Sequence, residues 1–391
     1  MTVQSDADLI ILGGGCAGLS LAMRLAELGP NCPRTLIIEE RTHYTNDRTW
    51  CFWDDGSTRI RPLVQHRWQN MKIQAAGRSV TVNCGATAYQ MLPSDVFYAA
   101  AIEQIAANQR IQLFMDASVL APSYKRAGKW RIETSQALYR ASMVIDTRPV
   151  KKATRGAAIL WQSFYGREIN CEDGVFDPTC AELMNFVDSN ATDIRFAYVL
   201  PVSPHRALIE TTVFGPDPLS RTALSSDLSA AISRYVNGVG FRILREENGV
   251  LPMGTATMKA NPDVTYVRAG VNWGGARAST GYAFQRIQRW ADVCAKQLGE
   301  GKLPVGHEPD PLLLRGMDHL FLSVLRTRSA AAPAMFLSMF EKVDPARIIR
   351  FLSDGGTLLD RAIVASVLPV IPFMKEIPSA FLRSARLREA L

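Results

Sequence analysis

Apolar and polar positions along this chain change period several times, and each change marks an element. Leu9 to Leu12 is a short continuous apolar run, which predicts a buried strand. Gly13, Gly15 and Gly18 follow it. Leu19, Leu21, Ala22, Leu25 and Leu28 then recur at helical spacing. Thr35 to Ile38 is a second apolar run, with Glu39 at its end. Residues 68–82 alternate through Met71, Ile73, Val80 and Val82, which predicts a hairpin around Gly77. Ser94 to Ala107 reads as a helix capped by Ser94 or Asp95. Ile111 to Leu120, Trp130 to Glu133 and Met143 to Asp146 read as strands.

The strand–glycine–helix–strand–acid order has a physical meaning. Gly13 permits a tight turn, Gly15 lets backbone approach a pyrophosphate, and Gly18 lets the helix sit close on the strand. The helix N-terminus offers unpaired N–H groups and partial positive charge to phosphates. Glu39 stands where an acid accepts hydrogen bonds from ribose hydroxyls, roughly 20 residues on. A plain glycine-rich turn would not account for that acid.

A second region begins near Ile159. Strand-like runs at 159–165, 194–200, 206–214 and 248–253 alternate with Pro and Gly turns, and a helix is expected over 223–236. The region reads as a largely antiparallel sheet. Val264 to Gly270 is a further strand. Gly270, Gly274 and Gly275 follow, then Ser279-Thr280-Gly281-Tyr282, where a helix starts. This second glycine-rich approach suits a long cofactor held at both ends, and FAD is the natural one. Asp146, an acid at a strand end before a turn, is a further candidate contact. From about 310 the chain is helical. Residues 362–374 are strongly apolar but broken by Pro369 and Pro372, with Lys375, Arg383, Arg386 and Arg388 after them.

Composition narrows the picture. The 391 residues suit two or three substructures, and 47% hydrophobic with 21% charged residues is globular. The formal charge is +7, but no basic cluster is interleaved with aromatics, so nucleic acid is not expected and an anionic membrane surface fits better. Seven cysteines, an odd count without CxxC, and five scattered histidines predict reduced thiols and no metal site. The first strand leaves no room for a signal peptide, and no apolar run reaches the roughly 18 residues that span a bilayer.

Several stretches resemble the bacterial lycopene β-cyclases, FAD- and NAD(P)H-dependent enzymes of carotenoid synthesis. They are Gly13–Gly18 with Glu39, DRTWCFW (47–53), FDPTCAELMNF (176–186), FAYVLPVSPHRALIETTVF (196–214), GVLPMG (249–254) and STGYAF (279–284). The middle group is the specific one. The resemblance implies an α/β fold of the hydroxylase-like flavoprotein kind. Its Rossmann-type FAD domain would comprise 1–150 and 255–305, its sheet-based substrate domain 151–254, and its helical C-terminal region 306–391. It also implies a redox-neutral reaction using reduced FAD, with NAD(P)H as the reductant. Each ψ-end of lycopene, or of another ψ-end carotenoid, would close to a β-ionone ring, through γ-carotene to β-carotene. The protein would work in the cytoplasm, peripheral on the inner membrane, and other carotenoid enzymes are candidate partners. A flavin monooxygenase, a prenyl-chain reductase and a non-catalytic polyene carrier are the rival readings.

Such chemistry needs an acid to protonate an alkene, stabilisation of the cation, and a base to take a ring proton. The family's paired acids followed by threonine correspond here to Glu210-Thr211-Thr212, so only Glu210 carries the catalytic role. Gly13, Gly15, Gly18, Glu39, Asp146, Gly270, Gly274, Thr280 and Gly281 are the expected cofactor contacts. Trp50, Phe52, Thr211 and Tyr282 are the expected substrate-pocket residues, with core packing the alternative for Trp50 and Phe52. Arg277-Ala278 departs from the family, which usually has proline in place of Ala278.

Overall fold

In the computed structural model, residues 3–150, 158–186, 192–254 and 261–378 are described. The chain opens with β1 (Val3–Leu12), α1 (Cys16–Glu27) and β2 (Thr35–Ile38). Next come β3 (Thr49–Trp53), β4 (His66–Trp68), β5 (Asn70–Ala75), β6 (Arg78–Asn83), β7 (Tyr89–Pro93) and α2 (Ser94–Ala106). Then follow β8 (Ile111–Phe114), β9 (Tyr124–Arg126), β10 (Lys129–Glu133) and β11 (Leu138–Asp146). Strands β8, β2, β1 and β11 lie side by side, all parallel, and short β17 (Tyr266–Arg268) extends the parallel set from the end of β11. Strands β10 and β9 continue it antiparallel. This is an open nucleotide-binding sheet, with Leu9, Ile11, Ile37 and Ile145 facing α1, α2 and a late helix, α4 (Phe284–Gly299), all on one face.

The second sheet also has seven strands and is apolar on both faces. It contains β12 (Leu160–Cys171), β13 (Cys180–Phe186), β14 (Ile194–Pro201), β15 (Arg206–Gly215) and β16 (Phe241–Met253), in the order β16-β12-β15-β14-β13-β5-β6. One face packs on α3 (Arg221–Val236) through Ile209, Val213, Leu224 and Leu228. The other face, with Leu160, Phe196, Leu208 and Phe214, packs on the C-terminal helices. These are α5 (Leu312–Thr327), α6 (Ala332–Lys342), α7 (Pro345–Leu352) and α8 (Leu358–Ser366). A small sheet, β3-β7-β4, fills the seam between the two large ones.

Several expectations shift. The hairpin around Gly77 forms as predicted, with Ala76 and Gly77 both at positive φ, but β5 pairs parallel with β13 and so joins the second sheet. Residues 1–150 are therefore not all one unit: a hairpin's free edge pairs wherever the fold presents a matching strand. The strand expected over 111–120 stops at Phe114, because Asp116 adopts φ +58 and turns the chain. Ser94 does not cap α2: its Oγ accepts from the Asp47 and Arg48 backbone N–H groups (3.0 Å each), which ties the 45–48 loop down. The strand over 264–270 shortens to β17, and the helix after Tyr282 starts at Phe284. β13 falls in FDPTCAELMNF (176–186), outside the strand runs predicted from the apolar pattern. The apolar run 362–374 is divided: Ile363, Val364, Val367 and Leu368 pack inward, whereas Val370, Ile371 and Met374 face out. Arg383, Arg386 and Arg388 lie outside the described residues. No helix among the described residues is long and apolar enough to cross a membrane, and all seven cysteines are free.

Candidate functional site

The nucleotide end is built by α1 and the turn before it. Gly13 takes φ +95, a left-handed conformation suited to glycine. A Cβ on Gly18 would stand 2.0 Å from Gly13 O, so only glycine lets α1 approach the turn. Gly15 is the N-cap of α1 and has no side chain over the helix end. A Cβ there would meet only Arg41 Nη2 at 3.9 Å, so the space in front of the helix N-terminus is open. Glu39 is buried and accepts from the Gly14 N–H (2.6 Å) and from Arg41 Nε (3.0 Å). Burial works to raise its carboxyl, but the Arg41 bonds outweigh this and hold it below its ordinary value. The donors and the glycine gap fit a dinucleotide.

Asp146 is placed differently from the expectation. Its carboxylate accepts from Arg148 Nε and Nη2 and from the Tyr266 hydroxyl, each at 2.8 Å. It is engaged inside the protein, where it ties β11 to β17, and its backbone C=O also accepts from Ala269 N–H just before Gly270. The aspartate thus steadies the second glycine loop from behind. Gly270 (φ +96) donates its N–H to His307 Nε2 at 3.0 Å, and Gly274 is at φ +92. Burial, with help from the Arg286 charge, pushes the His307 imidazole down to about 3, so it is neutral and can accept that bond.

Beyond this loop, Arg277 is 1% exposed and salt-bridged to Asp318 of α5 (3.2 Å), whose carboxylate also accepts from Ser279 Oγ (2.9 Å). The C-terminal helices therefore hold the loop that carries Thr280 and Gly281. That loop lies on the second sheet: a Cβ on Gly281 would be 2.9 Å from Gln162 Oε1. Gln162 Oε1 is itself buried without a hydrogen-bond partner in the structure, a polar atom suited to a ligand at this junction.

Alternation along β12 and β15 sets the chemistry on the facing side. Glu210 shares its face with Leu208, Thr212 and Phe214, and lies opposite Gly166 on β12 and Tyr198 on β14. It is 7% exposed and accepts from Thr212 Oγ1 at 2.9 Å. Among the described residues no Lys or Arg nitrogen is in salt-bridge reach of it. Burial, then the negative charge of Glu247, pushes its carboxyl up to about 8, against the Thr212 bond. Phe164, half-buried on the same face of β12, stands about 7 Å along the strand from both Gly166 and Gln162. Gly249 makes room for it, since a Cβ there would strike the Phe164 ring at 2.5 Å. An aromatic ring thus lies between the flavin-type loop and the acid.

β3 splits the DRTWCFW motif between two surfaces. Trp50 and Phe52 turn to the nucleotide domain and stack on Phe284, at 5.4 and 4.8 Å between ring centroids. They are core aromatics there and do not wall the Glu210 face. Thr49, Cys51 and Trp53 face the second sheet instead. Thr49 Oγ1 donates to Glu247 Oε2 (2.8 Å), and Trp53 packs on Tyr89 and Tyr282. The Tyr89 hydroxyl shares hydrogen bonds with those of Tyr198 (2.9 Å) and Tyr282 (3.3 Å). Burial pushes the Tyr282 hydroxyl up to about 12. Tyr282 thus lies in the cluster of Trp53, Tyr89 and Tyr198, whereas Thr211 lies away from it: it pairs with Tyr165 and Ala197 on the face packed against α3.

This combination of a dinucleotide cradle and an unpaired buried carboxyl over an apolar sheet has a match in sequence. The family model described as "Lycopene cyclase protein" matches residues 8–377. The chain belongs to the lycopene cyclase family. A lycopene beta-cyclase from Pantoea ananas is 28% identical over 306 residues, 74% of each chain. One from Paracoccus sp. (strain N81106 / MBIC 01143) is 26% identical and covers 93% of this chain and 95% of that one. The fold is also that of solved flavoproteins. A geranylgeranyl bacteriochlorophyll reductase-like protein from Thermoplasma acidophilum superposes with TM-score 0.62 at 13% identity, covering 96% of this chain and 99% of that one. The p-nitrophenol 4-monooxygenase PnpA from Pseudomonas putida DLL-E4 gives 0.59 at 15% identity, covering 97% and 99%.

The sequence pattern by itself singles out none of Thr49, Cys51, Trp53, Tyr89, Phe164, Tyr198 and Glu247, which the fold places around Glu210. The period of two in a strand would have separated Trp50 and Phe52 from Thr49, Cys51 and Trp53. It could not say which set faces the sheet.

Proposed function

We propose that this chain is a lycopene β-cyclase that closes the ψ-ends of lycopene to β-ionone rings, through γ-carotene to β-carotene. The observation that carries the reading is Glu210: a carboxyl buried on an apolar sheet face, raised by its surroundings and without a cationic partner in reach. A hydrocarbon offers no group to pair with a carboxylate, so a site that keeps the acid protonated suits it. FAD is the cofactor in this proposal. Gly13, Gly15, Gly18 and Glu39 would hold its adenosine and pyrophosphate end, and the loop Gly270 to Gly281 its other end. Reduced FAD bound there would supply negative charge to stabilise a cation, worth most in a dry site. Glu210 donates a proton to the terminal double bond. Phe164 offers its ring face to the resulting cation, and Trp53 with Tyr89, Tyr198 and Tyr282 excludes water.

Ring closure conserves atoms and electrons, so NAD(P)H serves only to reduce the flavin at the outset. Under strictly anaerobic conditions the FAD-loaded protein is expected to make many rings per NAD(P)H consumed, with product mass equal to lycopene. One NAD(P)H per ring, or a product heavier by hydrogen or oxygen, would move the chain to the reductase or monooxygenase reading that its structural neighbours' names suggest.

Membrane contact belongs to the same proposal, because lycopene dissolves in bilayers. Val370, Ile371 and Met374 are 70, 69 and 62% exposed on a helical segment, 370–378. Leu312, Leu313, Leu358 and Leu359 are exposed at the starts of α5 and α8. Arg286 pairs with both Asp310 and Asp354, which brings the chain entering α5 close to the loop that leads into α8. Serine at 370, 371 and 374 together should leave cyclisation of detergent-dispersed lycopene intact and weaken co-sedimentation with anionic liposomes. Unchanged co-sedimentation would exclude this surface as the anchor.

A further inference from the structure

The acid of the proposed reaction has a second carboxyl beside it that comes from a different strand. Glu210 on β15 lies opposite Gly166 on β12, and Gly166 lies opposite Glu247 on β16. Directly opposed residues project to the same face of a sheet, so all three positions point into the site. The middle one has no side chain. The Cα atoms of the two acids are therefore about 10 Å apart, two strand spacings. The Glu210 stem and Leu208 close over the glycine between them: a Cβ on Gly166 would stand 3.2 Å from Glu210 Cβ, 3.3 Å from Leu208 Cδ1 and 3.4 Å from Glu210 Cγ.

Glu247 is 4% exposed and is held on one oxygen. Its Oε2 accepts from Arg245 Nη1 (2.5 Å) and from Thr49 Oγ1 (2.8 Å). Arg245 is shared, since its Nε donates to Glu168 Oε2. Other groups also face the two acids. Arg48 comes from the loop before β3, Cys51 from β3, Glu168 from β12 and Tyr198 from β14. Among these, Arg245 and Arg48 favour a charged Glu210, whereas burial and Glu247 oppose it, and the opposing effects win.

We propose that Glu247, held by Arg245 and Thr49 on the strand beyond Gly166, is the negative charge that keeps the proton on Glu210. This rests on the cyclase reading. Glu247 is a positioning residue in it: like charges close together cannot both ionise easily, so a fixed carboxylate loads its neighbour. The proton balance closes. The Glu210 O–H bond breaks and a C–H bond forms at the terminal alkene carbon; a C–C bond closes the ring. The proton then lost from a ring carbon returns to Glu210, which ends each turnover protonated, as it began. A residue next to Glu210 in a strand points to the opposite face, so a same-face second carboxyl has to come from elsewhere, and β16 supplies it.

The test is the pH profile of β-carotene formation by the FAD-loaded full-length protein acting on lycopene in liposomes under reducing, anaerobic conditions. Wild type should lose activity as pH rises through about 8, where Glu210 gives up its proton. Glu247→Gln should move that alkaline limb down by about one unit, so that it is roughly tenfold slower near the wild-type limb and close to wild type at lower pH. Glu247→Asp should restore most of the limb. Gly166→Ala, which keeps both charges but pushes Glu210 aside, is the second variant should Glu247→Gln lose flavin or fail to fold. It should also displace the limb downward. A limb that stays in place in the folded variants, or a loss that is equal at all pH values, would overturn the role given to Glu247. No β-carotene from wild type would overturn the cyclase reading itself, a separate outcome.

Discussion

Glu210→Gln is expected to fold, to bind flavin like wild type and to leave lycopene uncyclised, with the rate down by roughly 10²- to 10⁴-fold. The amide keeps the shape of the side chain and can still accept from Thr212 Oγ1, now at 2.9 Å from the carboxyl. It cannot give an acidic proton. Leu208 and Phe214 on its own strand and Leu200 on β14 are buried on the same face. Replacing a carboxyl that is raised by burial removes a desolvation cost, so the variant should be at least as stable as wild type above neutral pH. The sign follows from the shift. A carboxyl raised in the folded state costs stability once pH exceeds its unfolded value, and glutamine is free of that cost. Phe164→Ala is the contrasting case. Loss of one cation–π contact is worth about 0.5–2 kcal/mol, so it should slow cyclisation by about 2- to 30-fold and not abolish it. Pigment chromatography of a lycopene-making bacterium that expresses each variant reads both. Substantial β-carotene from the Glu210→Gln strain would move the acid to another group.

Gly15→Val is expected to eliminate flavin from the purified protein while leaving the fold in place. The geometry separates the two effects. Gly15 has φ −83 and ψ −165, an extended conformation that valine adopts, and a Cβ there meets nothing closer than Arg41 Nη2 at 3.9 Å. The chain itself therefore accepts the residue, at a capping cost of about 1 kcal/mol. The branched side chain would project into the open space before the α1 N-terminus, where a pyrophosphate has to approach the backbone. Flavin absorbance should vanish, while thermal unfolding shifts by only about 4 °C or less. Gly18→Ala should behave differently, because its Cβ collides with Gly13 O at 2.0 Å and breaks the turn. Full flavin occupancy in Gly15→Val would refute the proposed cofactor site.

Much of this protein was legible in its sequence where a local pattern has a single physical outcome. The run Leu9–Leu12, the glycines, the α1 periodicity and Thr35–Ile38 came out as a nucleotide-binding unit, because turn, helix and strand propensities agree there. The second sheet was legible too, although β12 and β16 run further than their apolar cores suggest. Glu210 was found by its resemblance to a family motif, and the fold then buried it. What local pattern could not decide was which side of a strand meets which partner. Trp50 and Phe52 against Thr49, Cys51 and Trp53 is such a choice. A period of two sorts residues into two sets, and only the neighbours on each side give the sets meaning. The same limit applied to Thr211, Asp146 and the hairpin 70–83.

By itself, then, the sequence determined a nucleotide fold, a sheet domain and a helical tail, because short-range sterics and hydrophobic periodicity need no distant partner. Only the tertiary structure decided the chemistry of the site. It brought Glu247 opposite Glu210 across Gly166 by strand register, from residues 37 positions apart. It set Phe164 between the Gly281 loop and the acid, and it anchored that loop through Arg277 on Asp318 of a helix 41 residues further on. Such contacts join segments far apart in the chain. They exist because burial of apolar surface draws the two sheets and the C-terminal helices into one packed body, and each polar group caught inside must then find a partner there.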